Sequence, residues 1–242
     1  MKNSTNTLIL AVTILITALV FSNSFKHRHG AGDIINVTGL GKSDFISDLI
    51  VWRGSFTRKN MELKSAYKEL NEDREIIKNY LKSKGVNEKE IVFSSVGIEK
   101  KFDERTDRNE VKTRVFEGYE LEQNVQIECA DIDKIETLSR EVTDLINKGV
   151  ELTSHTPEYF YTKLSELKID MIASASRDGH LRAEKIALNS GGKLGKLRYA
   201  NMGVFQITAQ NSSEDFSWQG TNNTASKMKT ATITMKLQFQ ID

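Results

Sequence analysis

Few side chains of this 242-residue sequence combine in the patterns that catalysis or metal binding requires. Of its four histidines, His27 and His29 lie close together, in a basic stretch with no neighbouring cysteine, and we interpret them as a charged flank and not as a metal site. The sequence has no GxSxG elbow, P-loop or HExxH motif, and Gly39 and Gly41 lack the third glycine of a dinucleotide fingerprint. No motif therefore indicates a hydrolase, a metalloprotease or a nucleotide-binding enzyme.

Two further patterns place reactive side chains on one predicted strand. Glu120, Glu122 and Glu128 share one face of that strand. A pair of carboxylates can act as general acid and general base when burial raises the pKa of one of them. A polar sheet face is solvated, so we do not interpret these glutamates as a catalytic pair. Cys129 falls on the apolar face, without the electropositive, accessible setting of a reactive thiol. As the one cysteine, it also excludes an intrachain disulfide and a CxxC centre. We predict no catalytic, cofactor-binding or metal-ligating residue.

Composition restricts the class of protein. Charged residues make up 28% and aromatic residues 8% of the chain, which is typical of a folded body and argues against global disorder and a polytopic membrane protein. The 34 basic residues nearly balance the 33 acidic ones. A nucleic-acid-binding protein normally has a basic excess, so we predict no nucleic-acid partner.

The N-terminal residues 3–25 carry no charge. As a helix they are about 34 Å long, enough for a hydrocarbon core of about 30 Å, whereas the apolar centre at 8–21 spans about 21 Å, the length found in signal peptides. Two interpretations follow, an uncleaved anchor, which we favour, and a cleaved signal. The predicted membrane residues are Leu8, Ile9, Leu10, Val12, Ile14, Leu15, Ile16, Leu19, Val20 and Phe21.

The division of the chain follows from this segment. Residues 1–32 form the anchor or signal with its basic flank, and residues 33–242 form the folded domain. Lys2 and the amino terminus on one side nearly balance Lys26 and Arg28 on the other, so the positive-inside rule does not decide the topology. We predict that the domain is exported and that the membrane is contacted through the N-terminal segment.

Hydrophobic periodicity along the domain predicts an α+β fold in the order ββαββαβαββ, with a mainly antiparallel sheet and helices packed on one face. The clearest alternation is at 115–129, where apolar side chains occupy every second position. Strands are predicted at 34–41, 46–60, 91–98, 115–129, 150–161, 194–208 and 231–241, and helices at 61–84, 131–149 and 168–190.

Local signals refine these elements. Asp131 is a predicted N-cap, and Gly85 and Gly149 are predicted to end the first two helices. Pro157 predicts an edge position or a bend. The buried stripes are expected to include Ile146 in the second helix, and Ile172 and Ile186 with Ala175, Gly179, Ala183 and Ala187 in the third.

Two long polar stretches are predicted to be loops. Residues 99–114 are highly charged with both signs mixed, which is typical of an exposed hairpin tip. Residues 210–229 contain Phe216 and Trp218, and long loops of this kind are often functional. Their aromatic side chains either bind a partner or cover the edge of the core.

Several motifs resemble the SIMPL-domain family, also called the domain of unknown function 541. They are the V-x-G-x-G strand at 37–41, an aspartate ahead of the next strand, an alanine-containing helix at 183–187 and a G-x-L-G turn at 192–195. Ser47 departs from the proline that the family often has before the aspartate. The residues that carry the resemblance are Val37, Gly39, Gly41, Asp48, Ala183, Ala187, Gly192, Leu194 and Gly195.

The resemblance implies an exported protein of the bacterial cell envelope with an α+β fold and no established catalytic residue. It also implies a homo-oligomer, because some members are similar to antigens that assemble into rings, and a stress-related role, because others are linked to oxidative-stress tolerance. A non-enzymatic, self-associating protein is the leading expectation, with a periplasmic domain on a single-pass anchor or free after signal cleavage. The alternatives are a scaffold that binds an envelope partner through residues 210–229 and an antioxidant enzyme acting through Cys129.

Overall fold

The computed structural model describes residues 34–106 and 112–241, together with residues 13, 14, 16–18 and 22, which are helical. Ten strands and three α-helices form the described part of residues 34–241. They are β1 (Ile34–Ile46), β2 (Leu49–Asn60), α1 (Leu63–Ser83), β3 (Ile91–Phe93), β4 (Gly97–Thr106), β5 (Lys112–Cys129), α2 (Ile132–Glu141), β6 (Leu152–Ser154), β7 (Glu158–Phe160), α3 (Leu164–Asn189), β8 (Leu194–Met202), β9 (Gln206–Ala209) and β10 (Met228–Ile241).

The predicted membrane segment is largely outside the described residues. Ile14 and Ile16 are described, and both are helical and exposed. The other eight predicted membrane residues, as well as His27 and His29, lie outside the described part of the chain. Among the helices that are described, none has the length and apolar character needed to cross a membrane.

The α+β class is confirmed, and both sheets are mainly antiparallel. The observed order is ββαβββαββαβββ. It differs from the prediction because three predicted strands are each divided in two, at 94–96, 155–157 and 203–205. The chain forms two compact units. Among described residues, unit 1 contains 34–43, 166–205 and 232–241, and unit 2 contains 44–106, 112–165 and 206–231.

Unit 2 is built around β2, which pairs with β5 on one side and with β6 and β7 on the other. Strand β2 is therefore an inner strand of this sheet. The antiparallel register sets Trp52 opposite Ile127 and Ile50 opposite Cys129, so apolar side chains of both strands share one face. Helices α1 and α2 cover that face. The largest fully buried side chains there are Trp52, Phe56, Ile50, Leu70, Ile77, Leu81, Leu121, Ile127, Ile135, Leu138 and Leu145.

Residues 99–114 were predicted to be an exposed hairpin tip. The described residues of this stretch do belong to a hairpin, but its first strand extends to Thr106, where a loop was predicted. Strand β4 pairs with β5, and Lys101 lies 2.9 Å from Glu120 on the neighbouring strand. The rings of Phe102 and Phe116 are 5.6 Å apart in an edge-to-face arrangement. Cross-strand pairs therefore stabilise this hairpin. Because β4 buries neither of its faces, the hydrophobicity pattern of the sequence does not reveal it as a strand.

The region around Pro157 is divided between β6 and β7, which both pair with β2. The proline lies in the break between them, at the edge of the sheet, which agrees with the predicted edge position. A proline has no N–H to donate to a ladder, so the pairing stops there and resumes at Glu158.

The predicted helix ends are confirmed. Gly85 and Gly149 have φ values of 82° and 78°, in the left-handed region that glycine tolerates best, and the Asp131 side chain accepts a hydrogen bond from the Lys134 backbone. The burial of Ile146 was predicted wrongly. Residues Val142–Lys148 form a 3₁₀-helix with about three residues per turn, so Val142 and Leu145 remain buried whereas Ile146 is exposed.

Unit 1 packs α3 against a sheet in the order β1-β10-β8. The buried residues of α3 recur every fourth position, at Met171, Ala175, Gly179, Ala183 and Ala187. Ile186 is exposed and Ile172 half-buried, so their inclusion in the buried stripe was wrong. The stripe is narrow because glycines of β1 let the helix backbone approach so closely that few positions face the sheet.

Candidate functional site

The feature that stands out for recognition is the loop between β9 and β10, residues 210–227, here called the Trp218 loop. Its Trp218 side chain is 97% exposed and Phe216 is 63% exposed. The alternative in which the tryptophan covers the core edge is therefore wrong. An indole normally lies at least partly buried, so a fully exposed one is typical of a contact surface.

A buried glutamine holds this loop from beneath. The Gln206 side chain donates to the Ser217 carbonyl at 2.8 Å and accepts from the backbone N–H groups of Ser217 at 3.2 Å and Thr221 at 2.9 Å. These bonds fix the backbone on both sides of Trp218. No local pattern in the sequence indicates this role, because Gln206 lies in an ordinary stretch of a predicted strand.

Further backbone contacts fix the far side of the Trp218 loop. The Ile207 N–H donates to the Thr221 carbonyl at 2.7 Å, and the Asn223 N–H donates to the Ile207 carbonyl at 2.9 Å. The Glu214 carboxylate accepts from the Ala209 N–H at 3.0 Å and from the Asn223 amide. These hydrogen bonds hold the backbone of the loop at several points, while its two large aromatic side chains lie in solvent.

A second surface lies on β8 in unit 1. Leu197 is 52% exposed and Met202 is 50% exposed, and Tyr199 and Val204 are similarly accessible. Among the described strands β8 pairs with β10 alone, so its other edge has no strand partner. An edge strand that exposes apolar side chains can pair with a second chain.

The family-motif residues fall in different parts of the fold. Gly39 and Gly41 lie in β1 against α3, where a Cβ on Gly39 would be 2.0 Å from the Ala175 carbonyl oxygen and one on Gly41 would be 2.6 Å from that of Met171. Val37, half-buried, lies in the same strand, and Ala183 and Ala187 are buried in α3. They occupy packing positions.

The turn after α3 contains the remaining motif residues of unit 1. The Gly192 N–H donates to the Ala187 carbonyl at 3.0 Å and ends the helix, and Leu194 and Gly195 begin β8, both partly buried. Asp48 lies in unit 2 and does not join them. Its carboxylate accepts from the Thr162 N–H and hydroxyl, each at 2.7 Å. Burial alone would raise the pKa of Asp48, but these bonds outweigh it and the pKa lies below its usual 3.8.

The candidate reactive residues of β5 do not form a site. Glu120 is paired with Lys101, and Glu128 is exposed on the solvent face together with Glu122. Cys129 is buried, and burial raises the pKa of its thiol above 9.0, which disfavours the thiolate. Within the described ranges, no cluster of three His, Cys, Asp or Glu side chains could hold a metal ion.

Comparison with known proteins gives one match of wide coverage. The family model SIMPL, described as a protein of unknown function (DUF541), matches residues 35–240. The match begins in β1 and ends in β10, and it includes the strand glycines, the aspartate and the helix that carry the resemblance. No curated protein matches the chain.

Proposed function

The chain belongs to the SIMPL family, as its motifs predicted, and from that premise we propose that it is an exported, non-enzymatic binding protein of the bacterial envelope that engages a protein partner through the Trp218 loop. The exposed Trp218 side chain is the observation that carries this proposal. The family description assigns no activity, so the argument rests on the residues of this chain.

The proposed location rests on the uncharged residues 3–25 between Lys2 and Lys26. An uncleaved segment would hold the domain on the outer face of the cytoplasmic membrane, and a cleaved one would release it into the periplasm. Fractionation of cells that express the full chain, combined with protease treatment of spheroplasts, separates these cases. A domain protected from protease in intact spheroplasts would contradict export.

Rigidity of the loop supports the binding role. Because Gln206 fixes the backbone on either side of Trp218, binding would order few additional bonds, and little conformational entropy would be lost. Tryptophan is among the residues that contribute most to protein interfaces, commonly about 2 kcal/mol or more when truncated to alanine. We therefore expect Trp218→Ala to weaken partner binding by about thirty-fold or more.

Tryptophan fluorescence gives a direct test. The chain has two tryptophans, and Trp52 is fully buried, so the difference between wild-type and Trp218→Phe spectra reports Trp218 alone. Detergent-solubilised envelope proteins added to the full chain should shift this emission to shorter wavelength. Phospholipid vesicles are tested separately. A shift with vesicles alone would identify lipid as the partner and contradict the proposal of a protein partner.

Variants distinguish the contribution of the exposed aromatic side chains from that of the hydrogen bonds that hold the loop. Trp218→Ala and Phe216→Ala remove the contact surface, whereas Gln206→Leu leaves both aromatics and removes the bonds that fix the loop. Tyr67→Ala is the matched control, an exposed aromatic on α1. Retention of the partner by the Trp218→Ala, Phe216→Ala double variant would contradict the proposal.

Self-association through β8 is a second candidate, supported by the exposed apolar side chains and unpaired edge of that strand. Sedimentation of the full chain across a concentration series should show oligomers. Leu197→Lys with Met202→Lys should shift the distribution to monomer, and Tyr67→Lys should not. A wild-type chain that is monomeric at every concentration would contradict this candidate.

The antioxidant alternative depends on Cys129, and its surroundings oppose it because the thiol is buried and its pKa is raised. A maleimide reagent should therefore label Cys129 after unfolding and not in the native chain. Rapid labelling of the native chain would favour the antioxidant enzyme instead.

A further inference from the structure

Unit 2 contains a buried lysine without a counterion. Lys229 of β10 is 3% exposed, and its ammonium donates to the Tyr159 backbone carbonyl at 2.5 Å. An ammonium has three N–H donors, and that carbonyl is the one acceptor it has among the described residues. Burial lowers the pKa of Lys229 below its usual 10.5, and no neighbouring carboxylate opposes this effect.

The acidic side chains of the same region are engaged elsewhere. Asp44 accepts from the Thr230 hydroxyl at 2.6 Å, and Asp48 accepts from Thr162. Glu158 is paired with Arg53, and Glu136 accepts from the Tyr159 hydroxyl at 2.9 Å. These acidic side chains therefore do not pair with the Lys229 ammonium.

A small cavity of about 50 Å³ adjoins this lysine. Its walls include Phe45 and Tyr161, whose ring centroids are 4.8 Å apart, and Ile207 beneath the Trp218 loop. Asn222 also lines the cavity, is exposed to solvent, and makes no side-chain hydrogen bond within the described residues. Asn222 therefore marks the side on which solvent reaches the cavity.

We propose that this cavity binds a small monovalent anion, a halide or a one-carbon carboxylate, on the Lys229 ammonium. A buried charge is costly unless it is paired, and an anion would supply the missing pair and accept from the remaining N–H donors. A cavity needs about 10–15 Å³ to hold one water molecule, so about 50 Å³ suits a ligand of a few heavy atoms.

Formate and bromide are the probes, added to the full chain at constant ionic strength. Saturation transfer from the protein to the formate proton detects binding, and displacement by bromide shows that both anions use one site. At a formate concentration ten times the dissociation constant, the folding equilibrium constant should rise about eleven-fold. Binding of either anion that requires Lys229 supports the proposal.

Lys229→Met removes the charge while keeping much of the side-chain volume. It should abolish both the saturation transfer and the stabilisation by added anion. Lys236→Met, an exposed lysine on the same strand, should leave binding unchanged.

Asn222→Leu is a second variant, which keeps the test decisive if Lys229→Met does not fold. This exposed position tolerates substitution, so circular dichroism should be unchanged while formate binding weakens several-fold. Failure of wild-type chain to bind both formate and bromide would overturn the proposal. Binding of equal strength by Lys229→Met, folded by circular dichroism, would overturn it as well.

Discussion

The two compact units build an α+β layer by opposite means. Unit 2 fills the space between sheet and helices with large side chains such as Trp52, Phe56 and Leu70, which are almost fully buried. Unit 1 removes that space, because Gly39 of β1 lies against Ala175 and Gly179 of α3. The comparison shows that one class of fold can depend on side-chain volume in one unit and on the absence of a side chain in another.

The same difference decides which surfaces remain open. In unit 2 two helices cover the apolar face of the sheet. In unit 1 a single helix contacts β1 at Gly39 and β10 at Leu237, and Leu197 and Met202 of β8 stay exposed. A helix that lies very close to a sheet covers little of its width, so the edge strand is left uncovered.

The largest effect is expected from shortening a core side chain in unit 2. Phe56→Ala should lower the free energy of unfolding by about 3–5 kcal/mol, because it loses buried apolar area and leaves a cavity. Urea denaturation measures the change. Tyr67→Ala, on the exposed side of α1, is the control and should change stability by less than about 0.5 kcal/mol. Equal losses of stability in the two variants would show that unit 2 does not depend on the volume of its buried side chains.

Adding a methyl group should be damaging in unit 1. Gly39→Ala places a Cβ 2.0 Å from the Ala175 carbonyl oxygen, and we expect a loss of about 1–3 kcal/mol or more, since backbone must move. Gly97→Ala in β4 is the control, because its Cβ would be 3.7 Å from the nearest backbone oxygen, an ordinary contact. Hydrogen exchange of α3 amides measures the local effect. If both variants are equally stable, the close approach does not limit unit 1.

An acid titration tests the hydrogen bond that joins α3 to β1. The Leu40 N–H donates to the Asp178 carboxylate at 2.7 Å, and this bond, helped by Arg182, holds the pKa of Asp178 below its usual 3.8. A lowered pKa means that the stabilisation is complete above the unfolded pKa and is lost as the pH falls below about 4.

Asp178→Asn should therefore cost about 1 kcal/mol at neutral pH and flatten the loss of stability in acid. Unfolding curves recorded between neutral and acidic pH give both quantities. Acid profiles that remain parallel for the wild type and the variant would show that Asp178 does not contribute.

The smallest effect is expected on β8. Leu197→Ala should change the free energy of unfolding by less than about 0.5 kcal/mol, because the side chain is already half in solvent. Leu121→Ala in β5 is the same substitution at a fully buried position and should cost about 2–5 kcal/mol. A large loss at Leu197 in dilute monomer would mean that this side chain packs within unit 1, which would remove the argument for an association surface.

Local signals in the sequence predicted much of the fold. The left-handed glycines at 85 and 149 and the Asp131 cap act within one helical turn, so their effect is readable from a few residues. The alternation along β5 reports a sheet with one buried face, and the motifs of β1 and α3 indicated the family. Predictions failed where neither face is buried, as in β4, and where the helix type changes, as at Ile146.

The candidate sites needed contacts between distant parts of the chain. Nothing near Gln206 in the sequence indicates that it is buried and holds residues 217–221, or that Trp218 is left in solvent. Lys229 ends a polar stretch and reads as an exposed residue, yet β7 and β9 enclose it without a counterion. The sequence determined the elements and the family, because backbone preference and periodicity are local. Tertiary structure decided which polar and aromatic side chains are buried or exposed, because burial depends on segments far apart in the chain.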